Sequence, residues 1–251
     1  MNVRTAGEIR LMEVVGRMAA EALAYTGKHV RVGITTDELD KIANDFILSK
    51  GGISACIGYD GYPKAICTSV NEVICHGLPG PRVLCDGDII NIDVTVLKDE
   101  FHGDTSSMFF VGQPSERAKK LTDCAFQAMQ AGIEVARAGA TTGDIGFAIN
   151  KLVTRAGLYV VREIGGHGIG RIFHDEPFVP STGKKGKGAK LAKWSTITME
   201  PMVNETGAPI RELTIPKSDV TIFTTSDGSW SAQYEHTILI TDGKPQILTQ
   251  V

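Results

Sequence analysis

The chain has 251 residues, of which 42% are hydrophobic and 22% charged, as is usual for a folded globular protein. This composition excludes a disordered, collagen-like or coiled-coil chain. No stretch approaches the roughly 20 apolar residues that span a bilayer, and charges interrupt the first thirty residues, so we expect a cytoplasmic protein without a membrane anchor. A net charge of −3 argues against a general nucleic-acid binder. The five cysteines have no Cys-x-x-Cys spacing, so reduced thiols are expected.

Amphipathic periodicity predicts four helices that form two pairs. The first pair contains a long helix over about residues 6–28 and a shorter helix that begins after Thr35. The second pair contains a long helix over about residues 115–137 and a shorter helix that begins after Thr141. In both shorter helices an acid follows the threonine three residues later, which indicates a capping box with Glu38 in the first and a weaker variant of it with Asp144 in the second.

The helix pairs repeat along the chain at an offset of 106 residues, the distance from Thr35 to Thr141. Apolar positions of the shorter helices recur at the same offset, and a glycine ends each of them. We therefore expect one domain, residues 1–251, built from two related halves at about 5–110 and 111–250. Chance similarity between two amphipathic helices is the alternative.

Period-two patterns downstream of the helices predict strands over 88–110, 194–204 and 231–241. These strands favour an α+β fold with a mostly antiparallel sheet. In the first hairpin, a turn at Lys98 and Asp99 would place Asp93 directly opposite Asp104. Two buried carboxylates so close together repel each other, so the register implies that a cation lies between them.

The second half repeats this arrangement of acids. Asp93 corresponds to Glu200 at an offset of 107, and Glu235 lies on a strand that would return beside Glu200. Four carboxylates would then point at one centre, as in sites where bridging carboxylates hold two divalent ions. For any single acid of this set, a solubilising position on the protein surface is the alternative.

Three histidines accompany these acids. Glycines flank His167 on both sides, which leaves its ring uncrowded and lets the backbone approach a ligand. His174 follows seven residues later, and His76 lies in the segment NEVICHGLPG. A single loop histidine is usually a surface residue, but in a chain that already requires cations these rings are candidate ligands or hydrogen-bond donors.

Several segments of the chain resemble the shorter, type I-like methionine aminopeptidases of bacteria, and the likeness extends from about residue 5 to 250. The segments are NEVICHGLPG, DGDIINIDVTVLKDEFHGDTSSMF, EIGGHGIGRIFHDEP, TMEPMVN and SAQYEHTILIT. The resemblance implies the pita-bread fold, with two pseudo-twofold-related halves, a central mostly antiparallel sheet and flanking helices. It also implies a hydrolase that removes the initiator methionine from nascent polypeptides and prefers a small second residue.

The resemblance implies two divalent metal ions, of which Mn, Fe, Co and Zn are all compatible with the donor set. The implied ligands are Asp93, Asp104, His167, Glu200 and Glu235. Asp104 and Glu235 would bridge the ions. Glu200 would also carry a proton during catalysis, His174 would stabilise the oxyanion, and His76 would lie near the scissile amide.

The resemblance also implies a pocket for an unbranched thioether side chain. Its implied residues are Cys56, Tyr59, Tyr62, Cys67 and Phe173. His76 and His174 are implied as further substrate-binding residues. Where the family usually has a tryptophan at the pocket wall, an ungapped alignment places Thr221. The sequence does not indicate how this difference changes the stringency for methionine.

A basic loop with five lysines, Lys184–Lys193, is interpreted as a solvated surface loop or as a transient contact with ribosomal RNA. A monomer is expected. Two other functions stay open at this point: a proline-directed relative such as prolidase or aminopeptidase P, and a non-catalytic pita-bread protein that binds a partner.

Overall fold

The computed structural model describes residues 2–251. Within them the α-helices are α1 (Ala6–Gly27), α2 (Thr36–Ser49), α3 (Glu116–Val135) and α4 (Thr142–Arg155). The strands before α3 are β1 (Ile53–Ser54), β2 (Cys67–Val70), β3 (Val73–Cys75), β4 (Ile89–Lys98) and β5 (Phe101–Phe110). Those after α4 are β6 (Tyr159–Val160), β7 (Gly166–Gly168), β8 (Asp175–Val179), β9 (Thr196–Met199), β10 (Met202–Asn204), β11 (Ile210–Thr214), β12 (Thr221–Thr225), β13 (Ser231–Gln233), β14 (Glu235–Leu239) and β15 (Gln246–Ile247).

The shorter helices begin at the predicted caps. The Thr35 side chain accepts the N–H of Glu38, and the Glu38 carboxylate accepts the N–H of Thr35 at 2.8 Å. The same reciprocal pair joins Thr141 and Asp144, again at 2.8 Å. Both predicted capping boxes are therefore confirmed, and α2 and α4 begin 106 residues apart (142 − 36), as the repeat requires.

A nine-stranded sheet organises the protein. Its strands run in the order β1-β4-β5-β14-β9-β7-β8, with β2 paired to β4 and β15 paired to β14, and every pairing is antiparallel. One apolar cluster joins α1 and α2 to the sheet, and a second cluster joins α3 and α4 to it. Because β5 pairs with β14, strands from both halves of the chain meet at the middle of the sheet.

The register of the first hairpin differs from the prediction. Asp104 pairs with Thr95, and Asp93 pairs with Ser106, so each partner is shifted by two residues from the predicted pairing of Asp93 with Asp104. Because side chains alternate along a strand with a period of two, this shift keeps both carboxylates on one face. They are diagonal neighbours rather than direct ones.

The turn explains the shift. Its central residues are Asp99, with φ 49°, and Glu100, with φ 69°, and Lys98 stays in the strand opposite Phe101. Two-residue loops with two positive φ values match the twist of the flanking strands, even though neither residue is a glycine here. The predicted turn at Lys98 and Asp99 is therefore wrong by one residue.

None of the helices formed within residues 2–251 has the length and apolar character that a membrane crossing requires.

A close backbone contact between α1 and β5 generates a stability prediction. A Cβ atom on Gly103 would lie 2.7 Å from the carbonyl oxygen of Val15 and 2.8 Å from the Cα of Gly16. We expect Gly103→Ala to lower the free energy of unfolding by about 1–3 kcal/mol, because the buried backbone cannot move aside without strain. Urea denaturation measures this change.

The matched control is Gly7→Ala in the first turn of α1, where the nearest atom to the new Cβ lies 4.0 Å away. This variant should be as stable as the wild type or slightly more stable. Equal stability of the Gly103→Ala protein and the wild type would contradict the close-packing argument.

Candidate metal centre and catalytic cavity

A cavity of about 370 Å³ opens at the middle of the nine-stranded sheet. Its lining includes all twelve predicted site residues: Cys56, Tyr59, Tyr62, Cys67, His76, Asp93, Asp104, His167, Phe173, His174, Glu200 and Glu235. These residues come from both halves of the chain, so the fold brings them together across as many as 179 residues (235 − 56).

The register of the paired strands brings the four carboxylates close together. Asp93 and Asp104 share one face of the β4–β5 hairpin, and Glu235 opens β14 opposite Ser106 of β5. On its other side β14 pairs with β9 up to Met199, so that Glu200 follows beside Glu235. Pairing on both sides of β14 thus places carboxylates of the first half next to those of the second.

The donor atoms are close enough to share a cation. One ligand atom from each of Asp104, His167 and Glu235 lies within 4.8 Å of the others. His167 Nε2 lies 3.5 Å from Glu200 Oε1 and 3.8 Å from Asp104 Oδ2. His167 Nδ1–H donates to the Gly168 carbonyl at 3.0 Å, which leaves the Nε2 lone pair free for a metal.

The electrostatics of the four carboxylates favour a bound cation. Burial raises the pKa of Asp104 to about 7, and burial together with the charge of Asp104 raises the pKa of Glu200 to about 8. Burial and the neighbouring carboxylates also raise the pKa of Asp93 and that of Glu235. The residues present fit a metal, because positive charge is what would let all four ionise together at neutral pH.

The hydrogen bonding of Glu235 supports the same conclusion. This side chain is only 2% exposed, and its Oε1 atom has no hydrogen-bond partner among the described residues. A buried carboxylate oxygen without a donor is costly, and coordination to a cation satisfies it. Burial also lowers the pKa of His167 to about 4, so that the ring is neutral and able to ligate.

Three polar side chains that the sequence analysis did not name hold the carboxylates in place. Thr95 Oγ1 donates to Asp104 at 2.8 Å, Thr198 Oγ1 donates to Glu200 at 2.7 Å, and Gln233 Nε2 donates to Glu200 at 3.1 Å. Each of the three lies two residues along the chain from a candidate ligand, and Thr95 also lies opposite Asp104 in the hairpin. The period-two alternation of the strands could therefore have identified them.

The rings of His76 and His174 each make a hydrogen bond beside the candidate metal ligands. His76 Nδ1–H donates to the backbone carbonyl of Thr221 at 2.9 Å, which leaves Nε2 as an acceptor. His174 Nδ1 lies 2.8 Å from the Tyr59 hydroxyl. Burial lowers the pKa of His76, and burial plus the neighbouring rings His167 and His76 lower the pKa of His174. Both rings are therefore neutral hydrogen-bonding groups at neutral pH.

The other end of the cavity is apolar. Cys56, Tyr62, Cys67 and Phe173 are buried there in one hydrophobic cluster, with Tyr59 packed against it. The edge of the Tyr59 ring faces Phe173 at a centroid distance of 4.9 Å. Thiols and aromatic rings of this kind suit a flexible, polarisable side chain.

Residues beyond the predicted set complete the cavity wall. Thr221 lines it as the alignment suggested, and Ile164, Val220 and Phe223 add apolar surface. Phe223 packs edge-on against His76 at 5.9 Å between ring centroids. Thr221, Val220 and Phe223 lie outside the segments that carry the resemblance, and the pairing of β12 with β3 brings this part of the chain to the site.

The basic loop lies away from the cavity, with its backbone fastened to the start of α4. Thr142 N–H donates to the Ala189 carbonyl, and Gly143 N–H donates to the Lys187 carbonyl, both at 2.9 Å. The residues from Lys184 to Lys190 are nevertheless exposed. The loop therefore presents solvated lysines on an anchored backbone.

A buried acid–histidine centre in this fold is the site of a metallopeptidase, and the chain belongs to metallopeptidase family M24, whose model matches residues 10–242. It is 46% identical over 251 residues to a methionine aminopeptidase of Salmonella typhimurium, with coverage of 99% of this chain and 94% of that one. The crystal structure of methionine aminopeptidase from Rickettsia prowazekii matches with a TM-score of 0.96 and 41% identity over 99% of both chains.

A prolidase from Pyrococcus furiosus shares the fold at a TM-score of 0.78, but it is only 20% identical and the match covers 65% of its chain. The predicted pita-bread α+β fold, the metal-dependent peptidase class and the divalent metal cofactor are confirmed by these relationships.

The raised carboxylate pKa values generate a prediction about metal binding. A carboxyl group whose pKa is raised on folding stabilises the protein below its unfolded-state value near 4 and loses that contribution as the pH rises through its folded value. For Asp104 and Glu200 the folded values are about 7 and about 8. The free energy of unfolding of the metal-free protein should therefore fall as the pH rises from about 5 to about 8.

Manganese binds the ionised carboxylates in competition with protons, so it should raise the melting temperature of metal-free protein more at pH 8 than at pH 6. Thermal unfolding with and without MnCl2 measures both shifts. Glu235→Gln should reduce them, whereas Glu212→Gln on exposed β11 should not. Equal metal-induced shifts in melting temperature at the two pH values would contradict the expected competition between protons and manganese for the carboxylates.

Proposed function

We propose that this protein is a metal-dependent methionine aminopeptidase that hydrolyses the N-terminal methionine from nascent polypeptides and prefers a small second residue. The observation that carries this proposal is the joining, in one cavity, of a buried four-carboxylate–histidine centre to a pocket of thiol and aromatic side chains. The first element is suited to hydrolysis and the second to a thioether side chain.

The metal ligands in this proposal are Asp93, Asp104, His167, Glu200 and Glu235, which would hold two divalent ions. Asp104 and Glu235 are the bridging candidates, because their strands, β5 and β14, are the two middle strands between β4, which carries Asp93, and β9, which Glu200 follows. One ligand atom of each also lies within 4.8 Å of a ring nitrogen of His167. Bound divalent ions would polarise the scissile carbonyl and lower the pKa of a water molecule. The donor set is compatible with Mn, Fe, Co or Zn.

Glu200 is proposed to move the proton from the attacking water to the leaving amine. Its carboxylate lines the cavity beside the other acids, where it could accept a proton from the water and pass it on. Hydrogen bonds from Thr198 and Gln233 hold one oxygen each, so the carboxylate keeps its orientation during the transfer.

The two neutral histidines are proposed to act as a complementary pair. When the Tyr59 hydroxyl donates to His174 Nδ1, the ring carries its proton on Nε2 and donates to the developing oxyanion. His76 has the opposite tautomer, because its Nδ1–H is held by the Thr221 carbonyl. Its Nε2 atom therefore accepts a hydrogen bond from the scissile amide nitrogen.

The methionine side chain is proposed to lie against Cys56, Tyr59, Tyr62, Cys67 and Phe173. The residues at the base of this pocket are 3–8% exposed, so its inner end is closed to solvent. The pocket therefore suits one terminal residue rather than the interior of a polypeptide.

The proposed setting is the cytoplasm, where the protein would act as a monomer on chains emerging from ribosomes. One domain, residues 1–251, would contain both halves, at about 5–110 and 111–250. Transient contact with ribosomal RNA is proposed for Lys184–Lys193, because its solvated lysines lie on an anchored backbone that needs little ordering on binding.

Hydrolysis of Met-Ala-Ser by the manganese-loaded protein tests the proposed activity. We expect turnover of this peptide and none of Xaa-Pro peptides. Asp93→Asn, His167→Ala and Glu235→Gln should each abolish both turnover and tight metal binding, because each removes a ligand. Glu212→Gln is the charge-matched control. Full activity in any ligand variant would disprove the assignment of that ligand. Preferential cleavage of Xaa-Pro peptides would indicate a proline-directed peptidase instead.

The Tyr59–His174 hydrogen bond generates a separate prediction. Tyr59→Phe removes the donor that sets the His174 tautomer, so we expect kcat for Met-Ala-Ser to fall about 10-fold with little change in KM. Tyr25→Phe on exposed α1 is the control. A higher KM with an unchanged kcat would instead indicate that Tyr59 only shapes the methionine pocket.

A further inference from the structure

A second, larger cavity lies on the protein surface between α3 and α4. This groove has a volume of about 870 Å³ and shares no lining residue with the catalytic cavity. Its apolar lining consists of Ala131, Val135, Ala138, Ala140, Phe147, Ala148 and Leu152. All seven are half-buried, so they are accessible to a ligand without being fully solvated.

The rim of the groove is positively charged. Arg137, Lys151, Arg155 and Lys185 line it, and none of them has an ion-pair partner anywhere in residues 2–251. Lys185 lies 4.9 Å from the centroid of the Phe147 ring, over its face. The groove therefore combines four unpaired cations with an apolar floor.

One acidic residue, Asp144, also lines the groove, so the lining has four cations and one carboxylate and a net charge of +3 (4 − 1). Asp144 accepts the backbone N–H of Thr141 with Oδ2 at 2.8 Å and that of Gly186 with Oδ1 at 3.0 Å. Its carboxylate is thus used to cap α4 and to anchor the basic loop. The rim remains free to bind anionic groups of another molecule.

The walls of the groove are preorganised. Phe147, Lys151 and Arg155 are four residues apart along α4, so they form one continuous stripe on this helix. The connection from α3 to α4 is held by backbone hydrogen bonds from Ala138 to the Thr241 carbonyl and from Gly139 to the Leu191 carbonyl. A ligand would therefore meet a formed surface and pay little for ordering it.

We propose that this groove is a docking site for an acidic, amphipathic helical segment of a partner protein. Apolar side chains at helical spacing would fill the floor, and carboxylates flanking them would pair with the rim, bidentately at Arg137 and Arg155. This occupant matches both features of the groove. Nucleic acid would leave most of the aliphatic floor unsatisfied, since single strands are bound chiefly on exposed aromatic faces.

Fluorescence anisotropy with the manganese-loaded protein tests the proposal. The probe is a fluorescein-labelled peptide of about 16 residues, with leucine at i, i+3, i+4 and i+7 and glutamate at most other positions. A peptide of the same composition in scrambled order and a single-stranded RNA serve as comparison ligands. We expect micromolar affinity for the amphipathic peptide, weakening with salt, and at least about 10-fold weaker binding of the scrambled one.

Two groove variants and one matched control locate the binding. Lys151→Glu with Arg155→Glu reverses two rim charges, and Ala148→Trp fills the floor; each should weaken binding at least about 10-fold. Lys187→Glu with Lys190→Glu makes the same charge change in the adjacent loop, outside the groove lining, and should change affinity less than about 3-fold. Hydrolysis of Met-Ala-Ser should be unchanged in the two groove variants, which reports correct folding separately from docking.

Several outcomes would overturn the docking proposal. Equal binding of the scrambled peptide would indicate a diffuse charge effect, and so would equal losses in the loop and groove variants. Tighter binding of RNA than of peptide, lost in the same groove variants, would make this face a nucleic-acid surface instead. If the double charge reversal fails to fold, Ala148→Trp alone decides the result, and unimpaired peptide binding by it would exclude the groove.

Discussion

Mutual repulsion among four buried carboxylates is the constraint on which the active centre depends. Their pKa values are raised because charge is costly in a buried cavity and each acid disfavours ionisation of the next. A divalent cation reverses this cost. The same acids that destabilise the metal-free protein at neutral pH therefore become the source of its metal affinity, and the neighbouring polar side chains orient them rather than neutralise them.

The sheet brings the four carboxylates together from distant parts of the chain. A hairpin from the first half supplies Asp93 and Asp104, and the strands β9 and β14 of the second half supply Glu200 and Glu235. Each half of the chain thus contributes two of the four carboxylates. The neutral rings of His76 and His174 lie beside these acids without adding charge; the Thr221 carbonyl fixes the tautomer of His76, and the Tyr59 hydroxyl lies within hydrogen-bond distance of His174.

The protein separates two kinds of electrostatic surface. Among residues 2–251, the lining of the catalytic cavity contains the acids and no lysine or arginine, whereas the α3–α4 groove has four cations without ion-pair partners around an apolar floor. The net charge of −3 does not reveal this separation, because it is the sum of all charges along the chain. Catalysis and docking can therefore be altered independently, and a variant of either surface should leave the other intact.

Local chemistry allowed much of this structure to be predicted from the sequence. The capping boxes at Thr35 and Thr141, the repeat of 106 residues and the shared face of Asp93 and Asp104 all follow from short-range periodicity, which a two-residue shift in register preserves. The hairpin register was set by a local turn whose residues, Asp99 and Glu100, carry no glycine signal. Tertiary structure alone decided the Thr221 carbonyl that orients His76 and the basic groove assembled from Ala131 to Lys185. These features depend on contacts between residues distant in the chain, which no local pattern encodes.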